Sequence, residues 1–290
     1  MTADTSVLSN GELRLTVAPL GAEMQSLRDA AGQEYLWHGD GAFWTGRAPV
    51  LFPIVGRAAG DRIAVGDHAA PMGQHGFARR SHFDLVGQTD TMCHHVLNAS
   101  DTTREVYPFD FALHLVHWLE GRTVQCEARV ENTGTEDMPF GFGFHPAFCW
   151  PLPGAEGQDH VVTLEAGGAP QRRPLRDDGL LRREMVPGPF TDGRLTIEEA
   201  LFADRALVFP NGSDALRYGP ETGAGLSFTF RNLPDLALWK PIGAPFLCVE
   251  PWHGTASVEG DGPQIADRPN SIILAPGASA EFGYAVTLEA

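Results

Sequence analysis

The chain has 290 residues, enough for one large domain or two ordinary ones, and its 43% hydrophobic and 20% charged content allows a sizeable core. A formal charge of −16 argues against nucleic-acid or anionic-membrane partners, which need concentrated Lys and Arg. Cys93, Cys126, Cys149 and Cys248 form no CxxC pair, and Met1 to Val17 has no apolar leader core, so a cytoplasmic globular protein with reduced thiols is expected.

Strand-like alternation begins at once, with Leu13, Leu15 and Val17 set against Glu12, Arg14 and Thr16. Phe111, Leu113, Leu115, His117 and Leu119 share one face. After Glu120-Gly121-Arg122, the residues Val124, Cys126, Ala128 and Val130 do the same, predicting a long antiparallel hairpin. The stretch from Pro151 to Arg194 is rich in Gly, Pro, Arg and Asp and reads as loops, with helical turns expected over Asp178 to Met185 and Thr196 to Phe202. Strands resume at Leu226, Phe228 and Phe230, and again at Phe282, Tyr284, Val286 and Leu288. The whole, residues 1–290, reads as a single all-β domain rather than two units, with 33 glycines and 22 prolines to turn its short strands.

Four segments break the alternation where chemistry could sit. Pro49-Val50-Leu51-Phe52-Pro53-Ile54-Val55-Gly56-Arg57 is an apolar run that ends in a guanidinium, and Arg57 is either a ligand-holding tip or a solvated surface arginine. Gln74-His75-Gly76-Phe77-Ala78-Arg79 sets a histidine beside a glycine, where backbone or ligand can approach closely. In Phe140-Gly141-Phe142-Gly143-Phe144-His145-Pro146-Ala147-Phe148, aromatic residues and glycines alternate up to one imidazole, and Pro146 holds His145 extended. Aromatic faces with close backbone approach suit a sugar, whose C–H surfaces pack on rings while its hydroxyls seek polar groups. Phe246-Leu247-Cys248-Val249-Glu250-Pro251-Trp252 is a buried-strand pattern ending in a carboxylate, which must be paired, or else carry a raised pKa useful to a general base.

The order LFPIVGR, HGFAR, GFHPAF and EPW, with Ile272 to Gly277 and Phe282-Gly283-Tyr284 near the end, resembles the aldose 1-epimerase (galactose mutarotase) family, and most of all its LacX-like branch. The resemblance spans nearly the whole chain. It implies a large antiparallel β-sandwich of the galactose mutarotase type, a small sugar substrate and no cofactor. It also implies roles: Glu250 takes the proton from the anomeric hydroxyl, His145 protonates the ring oxygen, His75 hydrogen-bonds the sugar, and Arg57 holds a hydroxyl. For that division of labour His145 must be protonated and Glu250 ionised. The family's aspartate after a Leu-Phe pair would be Asp204, although Arg205 departs from the pattern. Tyr107, Trp239 and Arg79 resemble pocket positions, and His253 falls just outside them.

Two further readings stay open. Arg57, Arg79 and Arg80 could clamp the phosphate of a hexose 6-phosphate, or the fold could serve as a sugar-binding module without turnover. A metal centre is not expected: His114 and His117 fall on opposite strand faces, as do His94 and His95, and the sequence spacing shows no ligand cluster.

Overall fold

Two antiparallel sheets hold most of the strands in the computed structural model, which describes residues 5–290. The larger has nine strands, in the order Arg194–Thr196, His160–Leu164, Ala215–Pro220, Leu226–Arg231, Ser279–Leu288, Thr123–Asn132, Phe111–Glu120, Met92–Asn98 and Asp84–Gln88. At its centre is the expected hairpin, whose register pairs Glu120 with Thr123 across a turn in which Gly121 has φ 54°.

A six-stranded sheet lies against it. Its strands run Leu207–Phe209, Asp235–Trp239, Phe246–His253, Phe142–Phe144 and Val50–Leu51, with Ala147–Cys149 also paired to Phe246–His253. Aromatic rings join the two sheets. Phe142 stacks on Phe282 at 4.8 Å, Phe144 meets Tyr284 edge-on at 4.8 Å, and Phe148 meets Phe228 at 5.1 Å. Each such ring taken fully from water contributes roughly 1.5–3 kcal/mol, so this seam fixes how the sheets face one another. A three-stranded sheet, Ser6–Ser9, Leu13–Val17 and Met24–Asp29, covers another part of the large one, with Met24 Sδ 3.9 Å from Cys126 Sγ.

The helical expectations need correcting. Only Glu199–Phe202 forms a turn, a short 3-10 one. Residues 178–185 are irregular, and Leu181 bridges instead to Leu175 and Val258, so this loop is tied to the body as a wall. The helix Asp101–Val106, not expected from the sequence pattern, has its start fixed by reciprocal bonds between Ser100 and Thr103. Within the stretch read as loops, His160–Leu164 is a strand of the large sheet. Among the described residues, no helix is long and apolar enough to cross a membrane.

Candidate active site

Strand Phe246–His253 serves two layers. Leu247 and Val249 point into the main core between the sheets. Cys248, Glu250 and Trp252, at alternate positions, share the other face with Trp239 and Ala237 of the neighbouring strand. That face forms the floor of a cleft of about 290 Å³.

His145 reaches this floor through an interruption in pairing. Phe142–Phe144 and Ala147–Cys149 both pair with Phe246–His253, and His145-Pro146 is the break between them. The backbone N–H of His145 donates to the carbonyl of Pro49, and Pro146 accepts from Val249 N–H. Released from the ladder opposite Glu250, the imidazole places Nε2 3.1 Å from Glu250 Oε2. Gly143 is required here, because a Cβ at that position would stand 2.5 Å from the Trp252 ring.

His75 arrives from a turn with φ 67°, a left-handed conformation that costs a non-glycine residue energy. Gly76 follows in the same region, and a Cβ there would come within 2.1 Å of the Phe52 carbonyl oxygen. His75 N–H donates to Gly56 O, and Gly56 N–H donates back to His75 Nδ1 at 3.1 Å. That second bond decides the tautomer: Nδ1 is an acceptor, so the proton sits on Nε2. Nε2 lies 3.1 Å from the Gln74 amide nitrogen, so its proton requires that amide to be turned over to present the oxygen, or else goes to a ligand. The rings of His75 and His145 are perpendicular, with centres 5.5 Å apart.

Burial sets the protonation of the group. It pushes His145 down to about 3 and raises Glu250 well above the usual carboxylate range. His75 is also held well below the ordinary imidazole value by burial, with His145, Arg79 and Arg268 adding to the effect. Both shifts favour a dyad that holds one proton, on Glu250, with both partners neutral. The charge-separated form that the roles read from the sequence require is disfavoured by burial.

The structure gathers His75, His145, Glu250, Trp239, Arg57 and Arg79 around one cleft. Glu250 pairs with His145 rather than with either arginine. Arg57 is already engaged, its Nε and Nη2 each 2.6 Å from a carboxylate oxygen of Asp61. Arg79 donates through Nη2 to Gln74 O, and its Nε is buried without a partner among the described residues. Two expectations are corrected. Asp204 is exposed and outside the lining, where its neighbour Arg205 stands instead. Tyr107 is fully buried in the aromatic core, donating to Pro139 O at 2.9 Å, and does not reach the cleft.

Several lining residues escaped the sequence analysis. Trp44, from an otherwise exposed loop, lies over the His145 imidazole. Trp252 lines the floor, its buried indole N–H without a partner among the described residues, and Leu175 and Leu181 come from the irregular wall. The sequence signal for Trp252 was its period-2 relation to Glu250; Trp44 offered none. Cys248 Sγ, His145 and Glu250 have donor atoms within 4.8 Å of one another, a set compact enough to hold an ion. This corrects the expectation from sequence spacing that no ligand cluster exists.

The family model described as Aldose 1-epimerase matches residues 4–287. The chain belongs to the aldose 1-epimerase family. A LacX protein of Lactococcus lactis is 29% identical over 98% of this chain and 99% of its own length. The structure of a galactose mutarotase related enzyme from Lactobacillus acidophilus superposes with a TM-score of 0.93 at 27% identity, covering 99% of this chain and 98% of that one. A galactose mutarotase-like protein from Lactobacillus casei gives 0.91 at 26% identity, covering 99% and 100%. The all-β mutarotase-type fold read from the motifs is thereby confirmed.

Proposed function

We propose that this member of the aldose 1-epimerase family interconverts the α and β anomers of a free aldose by opening and reclosing its ring. One observation carries the reading: a buried His145–Glu250 pair at 3.1 Å lies on the floor of a cleft lined by Trp44, Trp239, Trp252, His75 and Gln74. Indole faces suit the C–H surfaces of a sugar, and the His75 and Gln74 side chains offer hydrogen-bonding groups to its hydroxyls. The cleft volume of about 290 Å³ suits one monosaccharide ring rather than a long chain.

Ring opening needs a base at the anomeric hydroxyl and an acid at the ring oxygen, both bonded to the same carbon. Two groups in contact suit two such oxygens. Sugar hydroxyls donating to the Glu250 carboxylate, with the ring oxygen accepting from His145, would tip the proton from Glu250 to His145 as the cleft fills. Glu250 then removes the O1 proton while His145 Nε2–H protonates O5 as the C1–O5 bond breaks. After rotation about C1–C2, reversal of the two transfers closes the ring on its other face. His75 Nε2–H is the donor that holds the sugar. Net proton count is unchanged, so no cofactor is called for.

Neutral sugars fit better than 6-phosphates, because the Arg57 fork that would grip a phosphate is occupied by Asp61. The test is polarimetry or NMR exchange across a panel of free and 6-phosphorylated aldoses, with and without EDTA. Acceleration of at least one free aldose, insensitive to chelation, is expected. Saturable sugar binding with no acceleration would make the protein a binding module instead.

A further inference from the structure

The cross-strand register of the large sheet gathers a second set of donors, outside the cleft. Cys93 and His95 are two apart on Met92–Asn98 and so share a face, and Cys93 stands directly opposite His117 on Phe111–Glu120. One donor atom from each lies within 4.8 Å of the others. All three are buried, at 0%, 1% and 3% exposure. His94 and His114 occupy the opposite face of the same strands, where they pair with each other at 3.0 Å. The alternation that separates neighbouring histidines in sequence thus assembles two groups in space.

The inner group is incomplete as it stands. Both ring nitrogens of His95 and Nδ1 of His117 are buried with no hydrogen-bond partner among the described residues. Leaving a buried hydrogen-bonding group unpaired costs about 1–3 kcal/mol, and one ion can meet two of these three atoms, one on each ring. A cation takes one lone pair from each imidazole together with the thiolate.

We propose that Cys93, His95 and His117 form a binding site for a single copper(I) ion. One thiolate and two imidazoles are a soft to borderline donor set. Charge selects the ion: a thiolate and a univalent cation sum to zero, which a dry interior tolerates, whereas zinc(II) would leave an unbalanced positive charge there. Number agrees, since three protein donors satisfy a trigonal copper(I), while structural zinc takes four. On binding, the Cys93 Sγ–H bond breaks, its proton passes to buffer, and an Sγ–copper bond forms with no change of oxidation state.

The test is anaerobic titration with copper(I) in competition with bicinchoninate. It is run on the purified chain and on the chain refolded with the ion present, since the site is closed to solvent. One ion per chain is expected, with X-ray absorption showing one sulfur and two nitrogens in a trigonal shell. Cys93→Ser and His95→Gln should each weaken binding by about a hundredfold or more, and two variants guard against misfolding of either. Glu250→Gln should bind copper(I) like the parent, which separates this site from the group around Cys248. Cys93→Ser should keep full anomer interconversion, so failure of this site leaves the proposed reaction untouched. The proposal is overturned if the refolded parent retains no more copper(I) than Cys93→Ser, if the ion is lost in Glu250→Gln, or if equimolar zinc(II) displaces it.

Discussion

Trp44 lies nearly parallel to the His145 imidazole, with ring centres 4.8 Å apart and planes inclined by 29°, and it meets Trp239 edge-on at 5.4 Å. The indole therefore shields the very ring that must exchange a proton. Trp44→Ala should lower kcat/KM for anomer exchange by roughly 10–100-fold, through lost packing and misplacement of His145. Because burial is what holds His145 down near 3, admitting water should move the acid limb of the pH profile upward. Trp44→Phe should restore most of the rate and return the limb. A profile that stays put in Trp44→Ala would mean that other groups set the His145 pKa.

Removing either member of the dyad should disable it as a unit. Glu250→Gln keeps shape and deletes the base, and His145→Asn deletes the acid. Each should cost about two to four orders of magnitude in kcat. The double variant should lose far less than the product of the two, because both act in one relay. Sugar binding, measured by calorimetry, should survive Glu250→Gln. Near-parental turnover in that variant would refute the mechanism.

The dyad acts with one proton aboard, so activity should rise and fall around that state. Below the depressed His145 value near 3 a second proton binds. Above the raised Glu250 value the single proton is lost. A bell with an unusually low acid limb follows, and its limbs belong to the pair rather than to single residues.

Stability should show the same shift with a definite sign. Between its ordinary value near 4.5 and its raised folded value, Glu250 keeps a proton in the folded chain and loses it in the unfolded one. Folding therefore weakens as pH rises through that window, by up to about 1.4 kcal/mol per pH unit. Glu250→Gln removes the penalty, so its Tm should exceed the parent's above the ordinary carboxylate range, with the gap widening as pH rises through that window. A gap that narrows with pH would show an ionised, well-paired carboxylate instead.

Asp61 occupies the Arg57 fork, which on the proposed reading leaves no paired donors for a phosphate. Free aldoses should exceed their 6-phosphates in kcat/KM by about tenfold or more. Asp61→Asn should narrow that ratio by releasing the guanidinium. A hundredfold preference for the phosphate ester that Arg79→Ala abolishes would reverse the order.

Much of this was legible in sequence, for identifiable reasons. Period-2 alternation marked the hairpin at Gly121 and the strand that carries Glu250, because each has one face in the core. Apolar runs ending abruptly in His145 or Glu250 marked the floor, since a charge at the end of a buried strand needs a partner. Trp44 left no such trace, as its place depends on a loop whose Asp40 and Trp37 contacts are set only by the folded chain. Tyr107 misled because a conspicuous aromatic in a family-like segment is as useful to a core as to a pocket. The Cys93 group was invisible for another reason. Register between strands, unlike spacing along one, cannot be read from a single sequence.

The cleft is built from two materials. Its floor belongs to sheet strands locked by the Phe142–Phe282 and Phe148–Phe228 seam, whereas its Leu175–Leu181 wall is irregular chain stitched on by isolated bridges. Loops of that kind accept insertions and exchanges that sheets do not. On the proposed reading, reaction lies with the floor and recognition with the wall, so either can be changed without the other. Descendants of this chain could change which sugar they admit by rewriting the wall, leaving His145 and Glu250 in register. A designer grafting walls from other members would be varying specificity on a constant catalytic floor.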